Sequence, residues 1–138
     1  MDLSALESEV DYLIKSANIY VYHDEYESSD PDVVVIREDK SAVIIINDNF
    51  LVSVPIVVRK AHEYIHAINN NDTPAVYNFS TGMRDAHEIS ANTGMIQLLA
   101  FLSYSDTPLE YRNYLEFVRE LNLPSWFEDI AREAVMNA

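Results

Sequence analysis

The sequence contains no cysteine, so neither a disulfide framework nor a thiolate metal site is open to it, and any metal must be held by His, Asp or Glu. Glycine occurs twice and proline five times in 138 residues, which excludes collagen-like and Gly/Pro-rich low-complexity architectures. Basic residues are scarce as well. Nine Lys and Arg stand against 23 Asp and Glu, a formal net charge of −14, which argues against direct binding to a nucleic acid backbone or an anionic membrane and suits a basic partner. No run of eighteen apolar residues exists to cross a bilayer. Asp2, Glu7 and Glu9 lie where a secretory signal would be basic, and with cysteine absent the expected location is the cytoplasm.

What is present suffices for a core: 49% of the residues are hydrophobic, without repeats or a visible linker, so residues 1–138 read as a single domain. A first helix is predicted from Ala5 to Ala17, because Ser4 and Glu7 form a capping-box pattern and Leu6, Val10, Leu13, Ile14 and Ala17 keep helical spacing. Three β-rich runs follow, Ile19 to His23, Val33 to Arg37 and Ala42 to Asn47, the last two joined by the polar tetrapeptide Glu38 to Ser41. The acidic stretch Asp24 to Pro31 reads as a solvated loop. His23 reads as structural or exposed.

The stretch around which the chain is organised is His62-Glu63-Tyr64-Ile65-His66, inside an apolar run from Val54 to Ile68 with a stripe at Val54, Val58, Ala61, Ile65 and Ile68. On a helix, positions i and i+4 share a face, so the two imidazoles can close on one metal ion. Glu63 is rotated off their line, where its carboxylate can hold and deprotonate a water. His62 and His66 border the apolar stripe, a costly place for an unpartnered polar ring.

A catalytic zinc takes a third protein ligand and keeps one position open. Glu88 is the best candidate, because it opens a second long apolar helix, predicted from Met83 to Leu102, whose inward face continues through Ala91, Asn92, Met95, Leu99 and Leu102. A carboxylate on that face is costly unless a cation receives it. His87 is the next candidate. Asn92, one turn beyond Glu88, is placed to orient a ligand by a hydrogen bond from behind it. Gly94 in mid-helix reads as room for a close neighbouring helix. Between the two helices a loop of about a dozen residues is expected, ending near Gly82; Tyr77 and Phe79 on it could cover the site, although packing explains them equally well. Arg84 and His87 could polarise a substrate carbonyl if they point inward, but a surface or supporting role is the preferred reading for each. Two further helices should start at Thr107-Pro108-Leu109-Glu110 and Ser125-Trp126-Phe127-Glu128, with Tyr111, Tyr114, Leu115, Val118 and Leu121, and then Trp126, Phe127, Ile130 and Val135, as their packed stripes.

An HExxH helix, a gap of about twenty residues and an E-x-x-A-N helix (Glu88, Ala91, Asn92) together resemble the ImmA/IrrE family of bacterial and phage zinc-dependent peptidases. The resemblance covers residues 50 to 105. It departs from the family at Tyr64-Ile65, where Leu-Gly is usual, and at Gly94-Met95, where Phe-Ala is frequent. It implies that Glu88 is the third zinc ligand and that the fold is α+β: a minimal zincin-like domain with a small, mainly antiparallel three-stranded sheet on about five helices. It also implies that the strand Ala42 to Asn47 lies at the sheet edge above the cleft, where an extended substrate could add to it.

The expected activity is peptide hydrolysis, with zinc polarising the scissile carbonyl and acidifying water while Glu63 takes the proton and passes it to the leaving amine. Members of the family commonly act on helix-turn-helix repressors, so the expected substrate is a basic DNA-binding repressor. Two rival readings stand beside this one. A non-cleaving antirepressor would sequester the same partner, and a structural zinc domain would close all four coordination positions, for which only three good ligands are found.

Overall fold

The computed structural model describes residues 1–39, 41–69, 75–78 and 86–138, with the backbone alone described at 75–78, 86 and 87. Helix α1 spans Leu3–Ser16 and is capped by Asp2, whose side chain accepts from the amide of Ala5, so the helix begins two residues before the Ser4 capping pattern implies. Strands β1 (Tyr20–Asp24), β2 (Val33–Ile36) and β3 (Ala42–Asn47) occupy the three runs expected. Helix α2 (Ile56–Ile68) carries the HExxH stretch and α3 (Ala86–Tyr104) carries Glu88. Helices α4 (Tyr114–Glu120) and α5 (Glu128–Met136) complete the chain, each preceded by a single 3-10 turn, Leu109–Tyr111 and Ser125–Phe127.

Scarce glycine is compensated by asparagine. Asn18 and Asn122 adopt left-handed backbone angles, φ 59° and 49°, just beyond α1 and α4. In each case two amides reach back to close the final turn: Asn18 to Lys15 and Ile19 to Ile14, and Asn122 to Arg119 and Leu123 to Val118. This is the paired hydrogen-bond pattern that usually employs glycine, with asparagine as the tolerated substitute.

The sheet differs from expectation in strand number and order. A fourth strand, β4 (Ala75–Asn78), lies in the stretch read as a loop, and the order is β1-β3-β2-β4. β1 runs parallel to β3, whereas β2 is antiparallel to both β3 and β4. The sheet is therefore mixed, and β3 is an inner strand with a partner on each side. The expectation that Ala42 to Asn47 forms the edge is overturned, because its amides and carbonyls are already spent on two neighbours.

Alternation along the strands sends Val34, Ile36, Ala42, Ile44 and Ile46 to the face covered by α1 and α2, where they join the main core with Leu6, Val10, Ile14, Val57, Val58 and Ala61. The same core extends through Met95, Ile96 and Leu99 of α3 to Phe117, Leu121 and Val135. Tyr111, Leu115 and Trp126, expected in packed stripes, are exposed instead. The first two belong to a chain that breaks between a 3-10 turn and α4, so the helical phase that aligned them with Tyr114 and Val118 does not persist. Among the described residues, no helix is long and apolar enough to cross a membrane.

Helix α2 is the spine of the molecule, packing against α1, α3, β2, β3 and β4. It is tied to α1 by the buried ammonium of Lys60, 3.2 Å from Glu7 and 3.0 Å from Asp11. At Gly94, a built Cβ would stand 3.0 Å from Cγ2 of Ile65, so glycine is what allows α3 to approach α2 this closely.

Candidate metal centre

Helical spacing on α2 turns His62 and His66 to one side, with ring centroids 4.8 Å apart and ring planes at 78°. From α3, the Glu88 carboxylate reaches between them: Oε2 lies 3.1 Å from Nε2 of His62, and Oε1 lies 2.9 Å from Nε2 of His66. All three side chains are buried, and one ligand atom from each can be chosen so that all lie within 4.8 Å of one another. A tetrahedral zinc site with bonds of about 2.0–2.1 Å separates its ligand atoms by roughly 3.3 Å, close to the 3.1 and 2.9 Å between Glu88 and the two imidazoles. Two imidazole nitrogens and a carboxylate oxygen are also a donor set that zinc accepts. The residues fit a metal ion, and the three ligand candidates read from the sequence are brought together.

The electrostatics favour a cation. Burial tends to raise the Glu88 pKa, but hydrogen bonds and attraction from His62 and His66 outweigh it and lower the value to about 2. Glu63 behaves in the opposite way. Its side chain is fully buried, and neither carboxylate oxygen has a hydrogen-bond partner among the described residues. Burial first, then the negative charges of Asp32 and Glu88, hold its carboxyl well above the usual carboxylate range. An adjacent cation would draw this buried carboxyl back toward the ionised form.

Asn92 is buried one turn along α3 from Glu88, the position expected of a group that steadies it. Arg84 and Phe79 lie outside the described residues, as do the side chains of Tyr77 and His87, which were also singled out in the sequence.

One set of residues escaped sequence reasoning. Arg59, on α2 and one turn before Glu63, is buried against Asp32 at the start of β2, and its Nη2 also donates to the carbonyl of Asn47. Its guanidinium carbon lies 5.5 Å from the centroid of the Phe50 ring. The available signal was a pair of cations, Arg59 and Lys60, inside an otherwise apolar helical run. No family model, no curated protein and no solved structure matches this chain.

Proposed function

We propose that this protein is a zinc-dependent peptidase in which His62, His66 and Glu88 hold the metal and Glu63 is the general base. The observation that carries the reading is the pairing of a buried two-imidazole, one-carboxylate cluster with a fully buried Glu63 beside it in sequence, whose carboxylate has no hydrogen-bond partner among the described residues. A structural site would be completed by a fourth protein ligand, and the metal-binding group among the described residues contains three. Bound here, zinc supplies a Lewis acid that polarises a carbonyl and acidifies water. Glu63 takes the proton of the attacking water on its carboxylate and delivers it to the departing amine. Glu88 anchors α3 to α2 across the site, and Asn92 steadies Glu88 from behind.

The resemblance to ImmA/IrrE peptidases and the formal net charge of −14 support a basic DNA-binding repressor in the cytoplasm as the substrate class, with a zincin-like fold presenting the site. Glu63→Gln tests the reading. Zinc content and partner binding should persist while hydrolysis of a candidate repressor falls by about a hundredfold or more. Undiminished relief of repression in cells by this variant would mean that the protein sequesters its partner without cutting it.

A further inference from the structure

One face of the sheet is apolar on both of its inner strands and has no place in the main core. By alternation, the face opposite α1 and α2 carries Tyr20 and Tyr22 of β1, Val43 and Ile45 of β3, and Val33 and Val35 of β2, in register as Tyr20 beside Val43 beside Val35 and as Tyr22 beside Ile45 beside Val33. Among the described residues, the main core cluster and the side chains packed against it include none of these six, although Val43 is itself buried, 6% exposed. Tyr20 and Tyr22 are 68% and 56% exposed, and Val33, Val35 and Ile45 are only half-buried. A strand with one wet face normally alternates apolar and polar residues, and an unbroken run such as Val33-Val34-Val35-Ile36 belongs to a strand covered on both sides.

Charge distinguishes what covers it. Asp24 shares the face of Tyr20 and Tyr22, and the following loop places the exposed carboxylates of Glu25, Glu27 and Asp30 at the same end of the sheet. From residue 24 to residue 36 the chain has no Lys or Arg. That loop is fixed at the sheet end by Asn47, which occupies the next outward position on β3 after Ile45 and bonds the carbonyls of Glu27 and Asp30. The apolar face is thus bordered at one end by a fixed acidic rim.

We infer that the outer sheet face docks an amphipathic, cationic helix of a partner protein, its apolar stripe on Val33, Val35, Ile45 and Tyr22 and its Lys or Arg residues toward the rim at Asp24 to Asp30. Three strands spaced about 4.8 Å apart and about 15 Å long give an apolar patch of roughly 200 Å², which two or three turns of helix would cover. A second copy of the chain is a poor occupant. Two copies, each with a formal net charge of −14, would repel one another. This inference is independent of whether Glu63 cleaves anything, since the face lies on the side of the sheet away from α2.

The test uses the 138-residue chain and a synthetic helical peptide of about three turns, with leucines on one stripe and lysines flanking it. Titration at physiological salt should shift the backbone amide resonances of residues 20–24, 33–36 and 42–47. Tyr22→Ser and Val35→Ser should each weaken binding by about tenfold or more. Tyr22 is exposed, so its variant keeps the fold, and thermal unfolding checks both. A scrambled peptide of the same composition should bind far more weakly. Equal binding of the scrambled peptide, no binding at all, or shifts confined to the region of His62 and Glu88 would each overturn the proposal. So would a dimer, seen by sedimentation, that Tyr22→Ser dissociates, because the face would then belong to a second copy.

Discussion

Arg59 holds Asp32 with two arms of its guanidinium, Nε at 2.6 Å from Oδ2 and Nη2 at 2.7 Å from Oδ1, both residues being buried. Asp32 Oδ1 also accepts the amide of Asn47, so one carboxylate joins the start of β2, the end of β3 and the helix that carries His62 and His66. Removing either partner strands a buried charge. Asp32→Asn or Arg59→Met should therefore cost about 3–5 kcal/mol in urea unfolding, with the paired variant Asp32→Leu/Arg59→Met recovering only part of the loss, because the Asn47 amide and carbonyl lose their partners.

Zinc should bind stoichiometrically and leave with His66. Elemental analysis of His66→Ala should find no retained metal, and a fully loaded variant would remove His66 from the ligand set. Because metal binds the folded chain, chelation from a site held at about a hundredfold excess over its Kd should lower Tm by about 5–10 °C.

The metal-free protein should show opposed pH dependences from its two buried glutamates. Glu63 is raised above its ordinary value of 4.5, so over the range between 4.5 and the raised value the folded state binds more protons than the unfolded state, and stability falls as pH rises. Glu88 is lowered to about 2 from 4.5, so its contribution is fully present above the ordinary value and is lost as pH falls toward 2. Urea midpoints of chelated protein should peak near the ordinary carboxylate pKa. Glu63→Gln should flatten the alkaline limb and leave the acid limb in place; an unchanged alkaline limb would assign it to another group.

Gly94→Ala sets two effects of similar size against each other. Alanine gains up to about 1 kcal/mol of helix propensity, but its Cβ meets Ile65 Cγ2 at 3.0 Å. In the background of Ile65→Val the contact is eased, and Gly94→Ala should become more favourable than in the parent chain. Gly94→Val should destabilise both backgrounds by about 1–3 kcal/mol and weaken zinc binding by moving α3 from α2.

Since β3 is paired on both sides, Ile44→Pro and Ile45→Pro should both break a ladder bond and lower stability, whichever way the replaced amide faces. Thermal unfolding of the two variants checks this. A normal Tm for either would contradict the inner position of β3.

The buried cluster of His62, His66 and Glu88 was legible because its geometry is local. Four-residue spacing aligns His62 with His66, and the same periodicity marks Glu88 and Asn92 as inward positions on a second helix. Closure of the two helices could be anticipated from Gly94 for the same reason. Strand order was not legible, since a short apolar run such as Val33 to Ile36 has no period that names its neighbour. β4 was hidden behind the turn-forming residues Asn69 to Asp72, which read as the start of a long loop. The buried cations were missed because their partners are distant in sequence: Asp32 lies 27 residues from Arg59, and Glu7 lies 53 from Lys60. Sequence periodicity marks such residues as polar and says nothing of what meets them.

The amide of Asn47 has a further consequence. Its nitrogen donates to the carbonyls of Glu27 and Asp30, and its oxygen accepts the amides of Tyr26 and Asn49, which uses both N–H groups and both acceptor sites. Deamidation at this one position would replace the donor nitrogen with an oxygen facing two carbonyl oxygens, and would add a negative charge beside Asp24, Glu25 and Asp30. Spontaneous chemical ageing of a single side chain would thus release the acidic rim while leaving the helices and the buried cluster of His62, His66 and Glu88 covalently untouched.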